Sequence, residues 1–137
     1  MNEDRIKLKT AILAKIKGVN LSWCDALYNP KIYTEYDSNQ HIANPEEITF
    51  MSCSSDFVKE HSWYLAPTQS ILQKWLRDSH QIYVIAGVDQ TMEPKFAFTV
   101  IKYIKDFEWN PKILSEFLYL TYEEALEEGL QEGLKLI

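Results

Sequence analysis

The chain is poor in the features that advertise catalysis, metal binding or membrane insertion. Its two cysteines, Cys24 and Cys53, lie far apart with no CxxC partner, so a zinc knuckle or disulfide framework is not indicated and both are expected as reduced, buried thiols. No apolar run approaches the roughly 20 residues that cross a bilayer. The segment Met1-Asn2-Glu3-Asp4-Arg5 lacks the charged-then-apolar layout of a secretory signal, so the expectation is a cytoplasmic protein with no membrane partner. Basic charge is not in excess: 14 Lys and Arg against 20 Asp and Glu leave a net charge of −6, which opposes non-specific binding to phosphate backbones or anionic lipids. Gly87, Gly129 and Gly133 fall inside predicted elements, which leaves no phosphate-cradling loop, and no GxSxG elbow is present. Internal repeats and low-complexity tracts are also missing.

What is present describes packing. Thr121 and Glu124 form a capping box, and behind it Tyr122, Ala125, Leu126, Gly129, Leu130, Gly133, Leu134 and Ile137 recur at three- and four-residue steps, with Glu123, Glu127, Glu128 and Glu132 on the opposite, solvated face. Upstream, Pro67 opens a helix at its first turn, with Ile71, Leu72, Trp75 and Leu76 on its buried face and His80 or Gln81 at its end. The period then changes to two. Ile82, Val84, Ala86 and Val88 alternate with Tyr83, Ile85 and Gly87, and Phe96, Phe98, Val100 and Ile104 line one side of a return strand whose other side carries Ala97, Thr99, Ile101 and Tyr103. Near the N-terminus, Leu8, Ile12, Ile16 and Val19 form one helical stripe with Ile6 and Leu13 beside it, stopped at Gly18-Val19-Asn20.

These segments predict an α+β fold. A small antiparallel sheet, made of a hairpin 82–88/95–105 and a short third strand near 116–120, is packed by helices 68–79 and 122–135, with an N-terminal helix over 3–17. Residues 1–137 read as one domain: the N-terminal helix in 1–20, an irregular middle over 21–65, and a helix–hairpin–helix core over 66–137. In the middle, only Lys31–Tyr36 and Glu47–Cys53 have the composition of short strands or helical turns, and Asn110-Pro111 marks a turn.

The segment Ala66-Pro67-Thr68-Gln69 leading into Gln73-Lys74-Trp75-Leu76-Arg77, then a hairpin, then Thr121-Tyr122-Glu123-Glu124-Ala125-Leu126-Glu127 running on to Lys135-Leu136-Ile137, resembles a group of small uncharacterised proteins encoded by phages and prophages. The resemblance covers the back half of the chain. It implies a mobile-element origin and an α+β fold, and carries over no catalytic residue.

Each candidate site has a plain structural explanation beside it. Cys24, His41, Cys53 and His61 are zinc-ligand types at separations that do not let one turn supply two ligands. Ser54, Ser55, Asp56 and His61, and likewise Asp78, Ser79 and His80, hold nucleophile and base types without an oxyanion hole. Catalytic, cofactor and metal sites are therefore not assigned. The acidic row Glu123, Glu127, Glu128 and Glu132, with Lys74 and Arg77 on the preceding helix, is the candidate interaction surface, and a protein is the expected partner. Gly129 and Gly133 indicate close approach to the hairpin, or to a twin helix in a homodimer. Lys74, Arg77, Lys95, Lys102 and Lys105, with Trp75, Tyr83 and Tyr103, supply the alternative of a small nucleic-acid-binding regulator. The element order resembles that of double-stranded-RNA-binding domains by topology alone, although two glutamates begin the last helix where phosphate would need lysines. A non-enzymatic binding protein is the expected function. An enzyme site in the middle region would show as a deep polar pocket around His41, Asp56 and His61, whereas a binding protein would show a flat apolar patch.

Overall fold

A computed structural model describes residues 4–29, 46–90, 94–104 and 108–137. Lys31–Tyr36, His41 and Lys105, which figure in the sequence reading, lie outside the described residues. Four helices and two three-stranded antiparallel sheets are formed among them, an α+β fold with small antiparallel sheets. The contacts divide the chain into two compact units, Arg5–Pro67 and Met1–Asp4 with Thr68–Ile137.

In the first unit, α1 (Leu8–Ile16) is followed by β1 (Cys24–Tyr28), β2 (Ile48–Cys53), α2 (Ser55–Lys59) and β3 (Tyr64–Leu65), with strand order β2-β1-β3. The stretch expected to be irregular thus holds a whole sheet. Central strand β1 is buried at four of its five positions. It therefore shows an unbroken run, Ala26-Leu27-Tyr28, and not the alternation by which a half-exposed strand is recognised. Glu47–Cys53 does become a strand. Cys24, Leu27, Cys53 and Val58 form the core, with Trp63 and Leu65 packed on it.

The N-terminal helix starts at Leu8 and not at Glu3. The residues before it are drawn onto the sheet. The Arg5 guanidinium donates to both carboxylate oxygens of Asp25 at 2.8 Å and to the carbonyl of Ala66 at 2.8 Å. The Ile6 amide donates to Pro67 O, and the Tyr28 hydroxyl to Ile6 O at 2.6 Å. These bonds replace the helical ladder that the sequence would otherwise extend. The buried face of α1 is also displaced. Thr10, Ala11 and Ala14 are buried while Ile16 is 73% exposed, so the inward side lies roughly opposite the aliphatic stripe when about 100° is counted per residue. Small side chains let α1 approach β3 closely.

The second unit contains α3 (Gln69–His80), β4 (Ile82–Gln90), β5 (Pro94–Ile104), β6 (Glu108–Leu114) and α4 (Tyr122–Leu134), with strand order β4-β5-β6. Thr68 caps α3 by accepting from the Ile71 amide, which places Pro67 one residue before the cap and not in the first turn. Gln81, with φ 55°, ends the helix where expected. The register pairs Val84 with Val100 and Ala86 with Phe98, and Val84, Phe98 and Val100 are buried. Helix α4 lies on this side. Gly129 and Gly133 mark the approach: a Cβ on Gly129 would stand 2.8 Å from Val84 Cγ1 and 3.0 Å from Phe98 Cβ, and one on Gly133 would stand 3.0 Å from Val84 Cγ2.

The third strand is Glu108–Leu114 and not 116–120. It runs through Asn110-Pro111, where two β6 residues face Lys102 alone in the register between Ile101–Lys112 and Tyr103–Trp109. A proline without an amide hydrogen fits a bulge on an edge strand, so the turn signal marked a bulge. What remains of the expected strand is one bridge, Tyr119 with Phe96. Lys102, which interrupts the apolar set, donates to Leu136 O at 3.3 Å beyond the C-terminal end of α4.

Candidate functional site

In the hairpin-bearing unit, directly paired residues share a sheet face. Ile85 pairs with Thr99 and Thr99 with Leu114, while Tyr83 pairs with Ile101 and Gly87 with Ala97. These residues form the face opposite α4. It is largely apolar and open: Ile85 and Leu114 are more than half exposed, and among the described residues nothing stands within 4 Å of where a Gly87 Cβ would be. Leu118 and Leu120, on either side of the bridge residue Tyr119, are exposed as well, Leu120 to 76%. The charged residues that pair on this face are Asp89 with Lys95 at the hairpin end, and Lys112, which pairs with Ile101. Scattered exposed leucines are ordinary, but a contiguous apolar sheet face marks an interaction surface.

The residues expected to form the interaction surface are dispersed. Glu127 is not solvated: it is 3% exposed and accepts from Gln69 Nε2 at 3.1 Å. Gln69 also donates to Glu123 O at 2.9 Å, and the two contacts tie the first turn of α3 to α4. Burial on this second side arises because α4 is enclosed by α3 as well as by the sheet. Glu123 lines a cleft of about 300 Å³ of mixed polar and apolar character with Asp4, Ser70, Gln73, Tyr122 and Leu126. Glu128 and Glu132 stand near Tyr119, whose hydroxyl pKa is raised by burial first and then by these carboxylates and Glu116. Lys74 and Arg77 both turn to Asp78, at 2.6 and 3.6 Å, and the Lys74 hydrogen bond holds the Asp78 carboxyl below its usual value. With Lys102 on the Leu136 carbonyl, three of the basic residues considered for nucleic acid have protein acceptors.

Among the described middle-region residues, Ser54, Ser55 and His61 have structural contacts, and Asp56 is exposed. Ser54 caps α2 by accepting from the Phe57 amide, while Ser55 Oγ accepts from the Leu21 amide at 2.7 Å and donates to Val19 O at 3.1 Å. The His61 ring stacks on Trp63 at 4.4 Å, with Phe57 5.3 Å from Trp63. Cys24 and Cys53 are opposite one another in the sheet, and no group of three metal-ligand residues occurs among the described residues. At the C-terminal end of α3, His80 packs against Trp75 at 4.9 Å.

The outer sheet face was missed as a site although its signal is in the sequence. Both registers of the hairpin are apolar, Tyr83/Ile85 and Ala97/Thr99/Ile101 as well as Val84 and Phe98/Val100, which is the pattern of a strand covered on both faces. No protein-family model matches the chain, and neither a curated protein nor a solved structure matches it. No helix among the described residues is long and apolar enough to cross a membrane.

Proposed function

We propose that this is a non-enzymatic accessory protein of a phage or prophage that acts by docking another protein onto the outer face of the β4-β5-β6 sheet. The observation that carries the reading is the row Ile85–Thr99–Leu114 across that face, in which Ile85 and Leu114 are more than half exposed among the described residues. A flat apolar surface is the geometry of binding, not of catalysis. Its partner is taken as a protein because the chain carries a net charge of −6, which opposes binding to nucleic-acid phosphate and anionic headgroups.

Site-specific photo-cross-linking in lysogenic or infected cells tests this. A cross-linker at Leu114 is expected to trap one partner chain, a cross-linker at the exposed Ser79 is not, and Ile85→Lys should abolish the adduct while leaving the circular dichroism spectrum unchanged. Equal trapping from both positions, or none from Leu114, counts against the reading. A salt-dependent gel shift with duplex or single-stranded nucleic acid would favour a regulator instead.

A further inference from the structure

We propose that Cys24 and Cys53 are a redox-responsive pair that closes to a disulfide joining β1 to β2. They are Cα partners in the antiparallel ladder. Directly opposed residues project to one face with Cα atoms about 4.5 or 5.5 Å apart, depending on the type of pair, and both separations lie within the disulfide range of about 4.4–6.8 Å. The sulfurs are already together. Cys24 Sγ donates to Ala26 O at 3.3 Å, and Cys53 Sγ donates to the same oxygen at 3.5 Å and to Cys24 O at 3.4 Å. The ladder is irregular between Cys24 and Ala26, where β2 carries one extra residue, and such a bulge lets the backbone adjust as the bond closes.

Both thiols are free and buried in the structure, and burial, followed by the neighbouring Cys24, pushes the Cys53 thiol up to about 11. Thiolate is therefore scarce at neutral pH and the closed sheet protects the reduced pair. Access comes through the edge. Among the described residues β2 has one ladder neighbour, β1, and its Phe50, Met51 and Ser52 are exposed, so local opening of this strand presents Cys53 first. With a small-molecule disulfide as oxidant, the Cys53 thiolate attacks one of its sulfurs and expels a small thiolate, which takes up a proton. The Cys24 thiolate then attacks the Cys53 sulfur and expels the second. Two protein thiols give up two electrons and two protons, and the small disulfide becomes two thiols.

The test is incubation of the full chain with excess oxidised glutathione in native buffer, followed by alkylation, intact mass and non-reducing peptide mapping. The expected result is loss of both thiols together, a mass lower by two hydrogens, one linked Cys24–Cys53 peptide, reversal by reduced glutathione, and a higher urea midpoint for the oxidised chain because the unfolded state is constrained. Cys24→Ser should retain a glutathione adduct on Cys53 that the unaltered chain resolves, and Cys53→Ser, which lacks the first nucleophile, should form far less adduct. A persistent glutathione adduct on the unaltered chain, a disulfide between two chains, or two alkylatable thiols at the end of incubation would overturn the proposal.

Discussion

Gln69 Nε2 donates to Glu127 Oε1 at 3.1 Å with the carboxylate residue 3% exposed, so this one glutamate of α4 is part of the interior and the glutamate row is not a uniform solvated stripe. Glu127→Lys places an ammonium where the amide donor now points. Losing a buried hydrogen bond to a carboxylate costs about 1.5–3 kcal/mol, and the added unpaired ammonium pushes the loss to the upper end. Urea denaturation should show that loss for Glu127→Lys, while Glu128→Lys stays within about 0.5 kcal/mol as a half-exposed substitution. Equal effects would mean that Glu127 is solvated after all.

The Lys15 ammonium has three donors and meets three carbonyls, those of Val58 at 2.9 Å, His61 at 2.5 Å and Trp63 at 2.9 Å, with the Tyr64 ring 5.1 Å away. It joins α1 to the segment between α2 and β3. Lys15→Met keeps most of the stem and removes all three bonds, so a stability loss of about 1–3 kcal/mol is expected. Lys15→Arg should recover only part of it, since a planar fork does not reproduce three convergent donors. Thermal denaturation of the three proteins side by side distinguishes these outcomes.

The fork from Arg5 to Asp25 gives the first unit an acid-sensitive element. The Arg5 hydrogen bond holds the Asp25 carboxyl below its ordinary 3.8. The folded state therefore binds that proton more weakly than the unfolded state, and the stabilisation is present above about pH 4 and fades as pH falls through the lowered value. Because the Asp25 side chain is 45% exposed, its contribution is expected to stay below about 1 kcal/mol. Asp25→Asn should be less stable at pH 6 and lose this component of the decline below pH 4. Parallel pH profiles for the two proteins would reject the linkage.

Gly129 and Gly133 separate two opposing effects. Alanine in a helix interior favours folding by about 1 kcal/mol, whereas overpacking costs about 1–3 kcal/mol. At Gly129 the new methyl would meet Val84 at 2.8 Å and Phe98 at 3.0 Å, so Gly129→Ala should be clearly destabilising. At Gly133 the nearest contacts are 3.0 Å to Val84 and 3.4 Å to Ile82 and Leu76, which gives a smaller net change. A clear gain in stability for Gly133→Ala would show that no close contact exists there.

The hairpin-bearing unit was the legible half because its signals are local. A change of period from about 3.6 to 2 separates α3 from β4, Pro67 and Thr121 mark helix starts to within a residue or two, and two glycines in one helix betray close packing. The bulge in β6 was read as a turn because proline reports a missing amide hydrogen, not whether a neighbouring strand needs it. The site was less legible. Charge patterning placed the candidate interaction surface on α4, but enclosure of that helix by α3 took Glu127 inside.

Alone, the sequence determined where amphipathic segments and caps occur, since these depend on residues within a turn or two of each other. Tertiary structure decided the rest: that Arg5 and Ile6 leave the helix for the sheet, that β1 and β2 pair to bring Cys24 beside Cys53, and which apolar face stays uncovered. Those outcomes depend on contacts between residues distant in the chain, and no local period encodes which of two apolar faces will find a cover.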